Sequence, residues 1–331
     1  MVTNISAKFV LVFRLTAIFI LCSQACGGVE PSVRITLATY NVEYFFDAHE
    51  DPYTIDETFP VKSEQAKAAL AETILAINAD FLALQEIENQ GVLEEFNQEY
   101  LAELGYRFVW FNHRYGRNIS INPAFLSRIP IRDITVYPFD ELTLPGETRT
   151  WSFARDVIRV TLEPAKGTTL VVFMVHFKTQ TDDEDDPRSA KWRLAEAMQA
   201  HTKVAEALKN NPSAWVAVVG DVNDTVGSLP YRKLKGPRDG ISLVDVHATL
   251  PREKRDTLLR QSSYQRVDPS EAIDYILVSP TLARYLVTES ILIQPPANPI
   301  ASDHIPVIAA FDLPAGGSDG TAAEERKSNV Q

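Results

Sequence analysis

Apolar and polar residues follow two rhythms along this chain, one suited to strands and one to helices. Residues 34–41 are apolar, β-branched and aromatic, as a strand requires. Between Lys62 and Asn78 the period lengthens, so that Ala66, Ala69, Leu70, Thr73, Ile74 and Ile77 share one helical face. Residues 81–84 read as a buried strand, which puts Glu86 at a strand's C-terminal end. A second helix is predicted over residues 91–104, followed by strands at 106–111, 123–126, 131–137, 152–162 and 169–176. The longest helical pattern, residues 187–209, opens on a proline suited to a first turn and closes before Asn210-Asn211-Pro212. Residues 214–219 form a nearly unbroken apolar run ending at Gly220-Asp221, a buried strand that passes into a loop. Further strands are predicted at 273–278, 288–293 and 307–311, while residues 314–331 read as a polar, disordered tail. Interleaved strands and helices imply layered α and β structure, and no internal repeat is present.

The 331 residues, 45% of them hydrophobic, suffice for one large core or two ordinary ones. No Gly/Ser- or Pro-rich linker divides the middle, so one domain over residues 32–313 is expected. Ahead of it, Lys8 and Arg14 precede a short apolar run at 15–22, and Ser23 and Ala25 occupy the small-residue positions of a cleavage site. Residues 1–25 therefore read as a signal peptide, which implies an exported protein, whether periplasmic, secreted or a membrane-anchored lipoprotein. The run is short for a spanning helix, and an uncleaved anchor is the alternative. Cys26-Gly27-Gly28 suggests a lipid anchor at Cys26, although Ser23 stands where bacterial lipoproteins carry leucine. Cys22 and Cys26 are the two cysteines, so the expected mature domain has no thiol for nucleophilic attack, zinc or internal disulfides.

A formal net charge of −12 opposes indiscriminate binding to a polyanion, because that affinity comes largely from Lys and Arg at phosphates. Local basic stretches at residues 107–132 and 232–260 leave a specific nucleic-acid contact open, with a solvated surface as the alternative. The acidic run Asp182-Asp183-Glu184-Asp185-Asp186 reads as a solvated loop, with calcium binding as the alternative.

Six short segments carry candidate chemistry. They are Ala38-Thr39-Tyr40-Asn41-Val42-Glu43, Leu84-Gln85-Glu86-Ile87-Glu88-Asn89, Val175-His176-Phe177-Lys178, Val219-Gly220-Asp221-Val222-Asn223-Asp224, Ile273-Asp274-Tyr275-Ile276-Leu277 and Ala301-Ser302-Asp303-His304-Ile305-Pro306-Val307. Each is weak alone. In this order they resemble the endonuclease/exonuclease/phosphatase superfamily, typified by deoxyribonuclease I and the abasic-site endonucleases. The resemblance covers residues 34–313 and implies an α+β fold, a four-layered α/β/β/α sandwich of two mixed β-sheets with outer helices and the site at one end. It also implies a metal-dependent phosphoric ester hydrolase.

A phosphodiester resists hydrolysis because its anionic oxygens repel nucleophiles and its leaving alkoxide is poor. Cleavage needs an activated water, neutralised non-bridging oxygens and a stabilised leaving oxygen. Hard oxygen donors suit Mg2+, with Mn2+ or Ca2+ as alternatives. Glu86 is the leading metal ligand. Asn41 supplies an amide oxygen or orients a metal-bound water, and Asp303, like Glu43, is an additional or outer ligand. Asp274 is the expected partner of His304, fixing its tautomer and supporting its charge. In the proteins resembled, such a pair stands at the scissile phosphate as general base or charged donor. The resemblance assigns Asp221, within Gly-Asp-x-Asn, to the attacking water and Asn223 to a phosphate oxygen. It assigns Arg155, in Phe153-Ala154-Arg155-Asp156, to substrate phosphate, which suits a planar guanidinium; an Arg–Asp surface pair is the alternative.

His176 sides with the deoxyribonuclease-I-like members, where abasic-site endonucleases typically carry Asn. It reads as a hydrogen-bond donor to phosphate. A general-acid role needs a carboxylate in an upstream strand, and the nearest candidate, Asn122, is not acidic. Arg193 reads as a helix-face salt bridge, and Ser302 lacks the base a nucleophile needs. The expected function is therefore a phosphodiesterase, with DNA or RNA as leading substrate and a monomer as the expected state. Phospholipids or other small phosphate esters come second. The segment Glu271-Ala272-Ile273-Asp274-Tyr275 lacks the Trp and Arg that inositol-phosphate phosphatases carry, and the aromatic-rich hairpin common in sphingomyelinase-like members is not seen. A non-catalytic binding module is the third reading, opposed by the completeness of the residue set.

Overall fold

The computed structural model describes residues 31–49, 59–113, 121–138, 141–238, 240–260, 264, 272–293 and 298–316. The segment expected to be a signal peptide, the Cys26 motif and the tail beyond residue 316 lie outside the described residues. Among the described residues, no helix is long and apolar enough to cross a membrane.

Strand β1 (Ser32–Phe45) sends Ile35 and Leu37 to one buried cluster and Ala38, Tyr40 and Val42 to another, so both of its faces are covered. Helix α1 (Glu64–Ile77) starts where the Ser63 hydroxyl accepts the Ala66 N–H at 3.2 Å, satisfying one of the donors a helix start leaves free. It stops at Asn78 in the left-handed conformation. The all-buried strand β2 (Phe81–Ile87) follows, then α2 (Gln90–Tyr100), capped by Asn89 Oδ1 on the Val92 N–H at 2.8 Å. Strands β3 (Phe108–Phe111), β4 (Asn122–Ser127), β5 (Ile131–Tyr137), β6 (Val157–Leu162) and β7 (Leu170–His176) precede the long helix α3 (Ala190–Asn210). Strand β8 (Trp215–Asp221), helix α4 (Leu229–Lys235), strand β9 (Val244–Asp245) and helix α5 (Arg252–Arg260) come next. Strand β10 (Asp274–Val278), helix α6 (Pro280–Ala283) and strands β11 (Leu286–Ile293) and β12 (Val307–Pro314) complete the order.

Two six-stranded sheets result, in the orders β11-β12-β1-β2-β4-β3 and β5-β6-β7-β8-β10-β9. The β1–β2 and β7–β8 pairs are parallel and the others antiparallel, so both sheets are mixed. The inner faces meet through Leu37, Phe81, Ala83 and Phe125 on one side and Ile158, Met174, Ala217 and Ile276 on the other. The outer face of the first sheet packs on Ala69, Leu70, Ile74 and Phe96 of α1 and α2. That of the second packs on Ala197, Ala200 and Val204 of α3. This is the expected α/β/β/α sandwich, each sheet covered twice because burying apolar surface is the main favourable term in folding.

Three expectations shift. The strand predicted at 152–162 begins only at Val157, because the Ala154 N–H is bound by the Glu196 carboxylate of α3 at 2.7 Å instead of by a neighbouring strand. The helix predicted to Leu104 ends at Tyr100 and continues as a 3-10 turn, Ala102–Leu104. Helices α4, α5 and α6 and the two-residue strand β9 were not expected. Helix α4 is a short element set by the Ser228 cap and Pro230, and α5 is too polar to show an apolar period.

Candidate active site

Strand ends and register place the candidate residues. In the second sheet, Asp221 at the end of β8 lies opposite His176 at the end of β7 and Asp274 at the start of β10. Gly220 makes that register feasible. It takes φ +138°, and a Cβ there would stand 1.9 Å from the Val175 carbonyl oxygen. In the first sheet, Asn41 of β1 pairs with Gln85 of β2, after which the register shifts and the backbone turns irregular. Glu43, Tyr44 and Glu86 take positive φ there, as Asn223 does after β8, a posture that costs non-glycine residues energy and clusters at functional sites.

Asn41 joins the two sheets. Its Nδ2 donates to Glu86 Oε1 at 3.2 Å and to Asp221 Oδ2 at 3.1 Å, while its Oδ1 accepts the Glu43 N–H at 3.1 Å. The buried amide thus orients two carboxylates, and its oxygen is already engaged. Glu86 Oε2 also accepts the Tyr44 N–H at 3.0 Å, and Glu43 Oε2 accepts the Asp303 N–H at 2.9 Å. Ser302 is a staple. Its hydroxyl donates to the Asn41 carbonyl at 2.8 Å and accepts the His304 N–H at 3.0 Å, tying the last segment to the first.

His304 Nδ1 meets Asp274 Oδ2 at 2.8 Å, and its Nε2 lies 3.9 Å from both Asp221 Oδ2 and Asp303 Oδ1. Burial opposes the imidazolium, but the Asp274 charge and hydrogen bond, with Asp221 and Asp303 behind them, push His304 up to about 10. Asp221 is pushed up to about 7, mainly by burial and then by the Asp274 charge. Its Oδ1 accepts the Asn223 N–H at 2.7 Å, and Asn223 Nδ2 also reaches the Phe177 carbonyl at 3.0 Å. His176 is fully buried. Its Nε2 lies 3.7 Å from Asp221 Oδ2 and 3.9 Å from Glu86 Oε1, beyond hydrogen-bond range, and burial with the Arg155 charge holds it neutral, well below its ordinary value. The carboxylates that face it thus come from Glu86 and Asp221, while Asn122 opens β4 opposite Ile87. Arg155 is buried, donating from Nη1 to the Phe177 carbonyl at 3.4 Å; its neighbour Asp156 accepts from Asn112 at 3.0 Å.

A cavity of about 360 Å3 opens on this cluster, lined among others by Glu43, Glu86, Asp221, Asn223, Asp303 and His304. Asn41, Arg155, His176 and Asp274, all buried, stand behind that lining. The donors are hard oxygens, which fits a divalent cation. Asp221, Asp274 and His304 also bring ligand atoms within 4.8 Å of one another. His304 Nδ1 is bound to Asp274, so its Nε2 is the ring nitrogen that faces Asp221 and Asp303.

The model of the Endonuclease/Exonuclease/phosphatase family matches residues 38–304. The chain belongs to this family. Members of the endonuclease/exonuclease/phosphatase family are phosphoric ester hydrolases that generally use divalent metals, and this chain is an enzyme of that class. Its fold is similar to that of the human Nocturnin catalytic domain with bound sulfate, at TM-score 0.58 and 17% identity, covering 86% of this chain and 96% of that one. It is similar also to ANGEL2, a 2',3'-cyclic phosphatase, at TM-score 0.57 and 14% identity over 85% of this chain and 96% of that one. TDP2 from Caenorhabditis elegans aligns at TM-score 0.53 and 15% identity, over 85% and 74%. None of the curated proteins compared by sequence matches the chain.

Two buried charges at this family site escaped sequence reasoning. Glu196, fully buried on α3, accepts the Ala154 N–H and the Lys178 N–H, both at 2.7 Å, and so clamps the loops that carry Arg155 and follow His176. Burial pushes it up to about 7, against those two hydrogen bonds and the nearby Arg155 and Arg193 charges. Its signal was a carboxylate on the apolar stripe that Ala197, Ala200 and Val204 define. Lys62 donates from Nζ to the Val42 and Glu43 carbonyls, both at 2.8 Å, beneath the acidic cluster; no local pattern marks it. Arg193 is buried and pairs at 3.1 Å with Asp224 of the loop after β8, not along the face of its own helix.

Proposed function

We propose that this enzyme is an exported, divalent-metal-dependent phosphodiesterase that hydrolyses nucleic acid. The observation that carries the reading is the convergence of five of the six segments on one cavity, with His176 of the sixth behind it, and a division of charge. Carboxylates of Glu43, Glu86 and Asp303 line one part, and the Asp274-supported imidazolium of His304 stands beside them. Glu86 and Asp303 would hold Mg2+, Mn2+ or Ca2+, with Asn41 orienting Glu86 from behind. When bound, the cation supplies charge to the non-bridging oxygens and the leaving oxygen.

The protein's own groups do the rest. Asp221, with an affinity for protons near that of the medium, accepts a proton from the attacking water, the condition under which a general base works best. His304 stays charged at neutral pH and donates Nε2–H to a phosphate oxygen, while Asp274 holds Nδ1. Asn223 presents its amide at the cavity edge, and Arg155 adds positive charge from behind. The neutral His176 lies beside Glu86 and Asp221 without hydrogen-bonding either, and Asn41 sets their orientation. A nucleotide-type substrate is favoured by the structural likeness to ANGEL2, which has been seen with adenosine-2',3'-vanadate at TM-score 0.55. Export rests on the leader, with Cys26 as the lipid-anchor candidate, and a monomer is the proposed state.

The test is hydrolysis of plasmid DNA, single-stranded DNA, RNA, sphingomyelin and bis-p-nitrophenyl phosphate with each metal or with EDTA. Metal-dependent cleavage of DNA or RNA that disappears in Glu86→Ala and His304→Ala supports the proposal. Cleavage of sphingomyelin or the small ester alone replaces the substrate, and inactivity on the whole panel points to a binding module.

A further inference from the structure

Gln180 and Arg188 line the catalytic cavity and also a neighbouring one of about 470 Å3. The other charged residues along that second cavity are engaged. Lys191 pairs with Glu147 at 2.8 Å, and the buried Arg193 pairs with Asp224 at 3.1 Å. Arg188 differs, being exposed and meeting, among the described residues, the neutral amide oxygen of Gln180. Gln180 is in turn anchored, donating from Nε2 to the Asn223 carbonyl at 2.9 Å, so the Arg188 guanidinium is held in register with a residue of the catalytic cavity.

The backbone under this guanidinium is held in a costly posture. Arg188 and Ser189 take φ 57° and 49°, two successive left-handed residues neither of which is glycine. Four hydrogen bonds impose it. Asp182 Oδ1 accepts the Arg188 N–H at 2.9 Å, Arg193 Nη1 donates to the Arg188 carbonyl at 2.6 Å, the Ser189 N–H reaches the Asp186 carbonyl at 2.9 Å, and the Ser189 hydroxyl reaches the Thr181 carbonyl at 2.6 Å. The acidic run therefore acts as a scaffold. Asp183 binds Arg149 at 2.5 Å, and Asp186 accepts the Lys191 and Trp192 N–H groups at 2.9 and 3.0 Å, which leaves the Arg188 charge facing the cavities.

We propose that Arg188 binds a second phosphate of the substrate, the one adjacent to the phosphate being hydrolysed, and that the second cavity receives the nucleoside beyond it. A planar guanidinium that has no carboxylate partner among the described residues suits bidentate contact with phosphate oxygens. Leu229, 44% exposed, with Pro187 and Pro230, gives the second cavity an apolar wall for a sugar or base face. The inference rests on the nucleic-acid reading above, and makes the enzyme selective for linkages that have a charged neighbour.

The test uses the full chain and an oligothymidylate in which one internal phosphate is replaced by an uncharged methylphosphonate. Cleavage is mapped linkage by linkage against the unmodified strand. The wild type should cut the linkage next to the neutral position about tenfold more slowly than distant ones, the scale of one charged hydrogen-bonding contact. In Arg188→Ala that local dip should vanish, and in Arg188→Lys it should shrink. Both rates come from the same strand and preparation, so loss of folded protein cancels. A wild type without the dip, or an Arg188→Ala variant that keeps it, overturns the inference and leaves the nuclease reading standing. Failure of the wild type to cut either the unmodified strand or the corresponding oligouridylate overturns both.

Discussion

Replacing Asp274 by Asn keeps the size of the group facing His304 Nδ1 and removes its charge. The 2.8 Å contact is buried, and the Asp274 charge and hydrogen bond are the main reasons His304 rises to about 10. From there to the ordinary value of 6.5 corresponds to about 5 kcal/mol at about 1.4 kcal/mol per pH unit, a ceiling because Asp221 and Asp303 share the effect. The sign follows from proton linkage. A histidine that binds its proton more tightly when folded contributes its full stabilisation below about pH 6.5 and loses it as pH climbs toward 10. Asp274→Asn should therefore be most destabilising near pH 6 and approach the wild type near pH 10. Urea denaturation of metal-free protein at both ends measures this, and the His304 ring protons followed by NMR give its titration directly. In parallel, the alkaline limb of bis-p-nitrophenyl phosphate hydrolysis should move from about pH 10 toward neutrality. An equal loss of stability at both ends, together with an unmoved alkaline limb, would refute the charged-histidine reading.

Glu86→Gln should abolish the rise in melting temperature that Mg2+ or Mn2+ gives the wild type, and lower turnover by about a hundredfold or more; an undiminished metal-induced shift by differential scanning fluorimetry would remove Glu86 from the ligand set. Glu196→Ala takes the Glu196 acceptor from the part-buried Ala154 and Lys178 N–H groups, at up to roughly 1–3 kcal/mol each, so the urea midpoint should fall. Glu196→Gln should recover part of that loss, and a loss below about 0.5 kcal/mol in the alanine variant would contradict the clamp. Gly220→Ala forces a methyl group against the Val175 carbonyl and should cost about 4 kcal/mol or more, read as low soluble yield or a collapsed melting temperature. A near-normal melting curve would show that the β7–β8 register is softer than drawn.

The strand and helix rhythm of the chain carried the layered fold, because a strand buried between two layers must be apolar on both faces and a covering helix must be apolar on one. The strands that carry Glu86, His176 and Asp221 at or next to their ends were visible for the same reason, as polar residues that break an apolar run. The short motifs supplied the chemistry through family resemblance, and the helix α3 stood out by its length. Helix α5 and the hydrogen-bonded loop over residues 151–156 did not, since neither has an apolar period.

What the amino-acid order determined by itself is therefore local: which segments form strands or helices, and which polar groups stand at their ends. Which groups meet was decided by tertiary structure. The 2.8 Å contact of His304 with Asp274, the two-sheet grip of Asn41 on Glu86 and Asp221, and the Glu196 clamp depend on sheet register and on packing between layers. Arg188 is the plainest case. In sequence it is one arginine beside an acidic run, and only the four hydrogen bonds that hold its backbone left-handed turn it toward the cavities. Such contacts join residues distant along the chain, so they follow from the packing free energy of the whole fold and leave no periodic trace in any one segment.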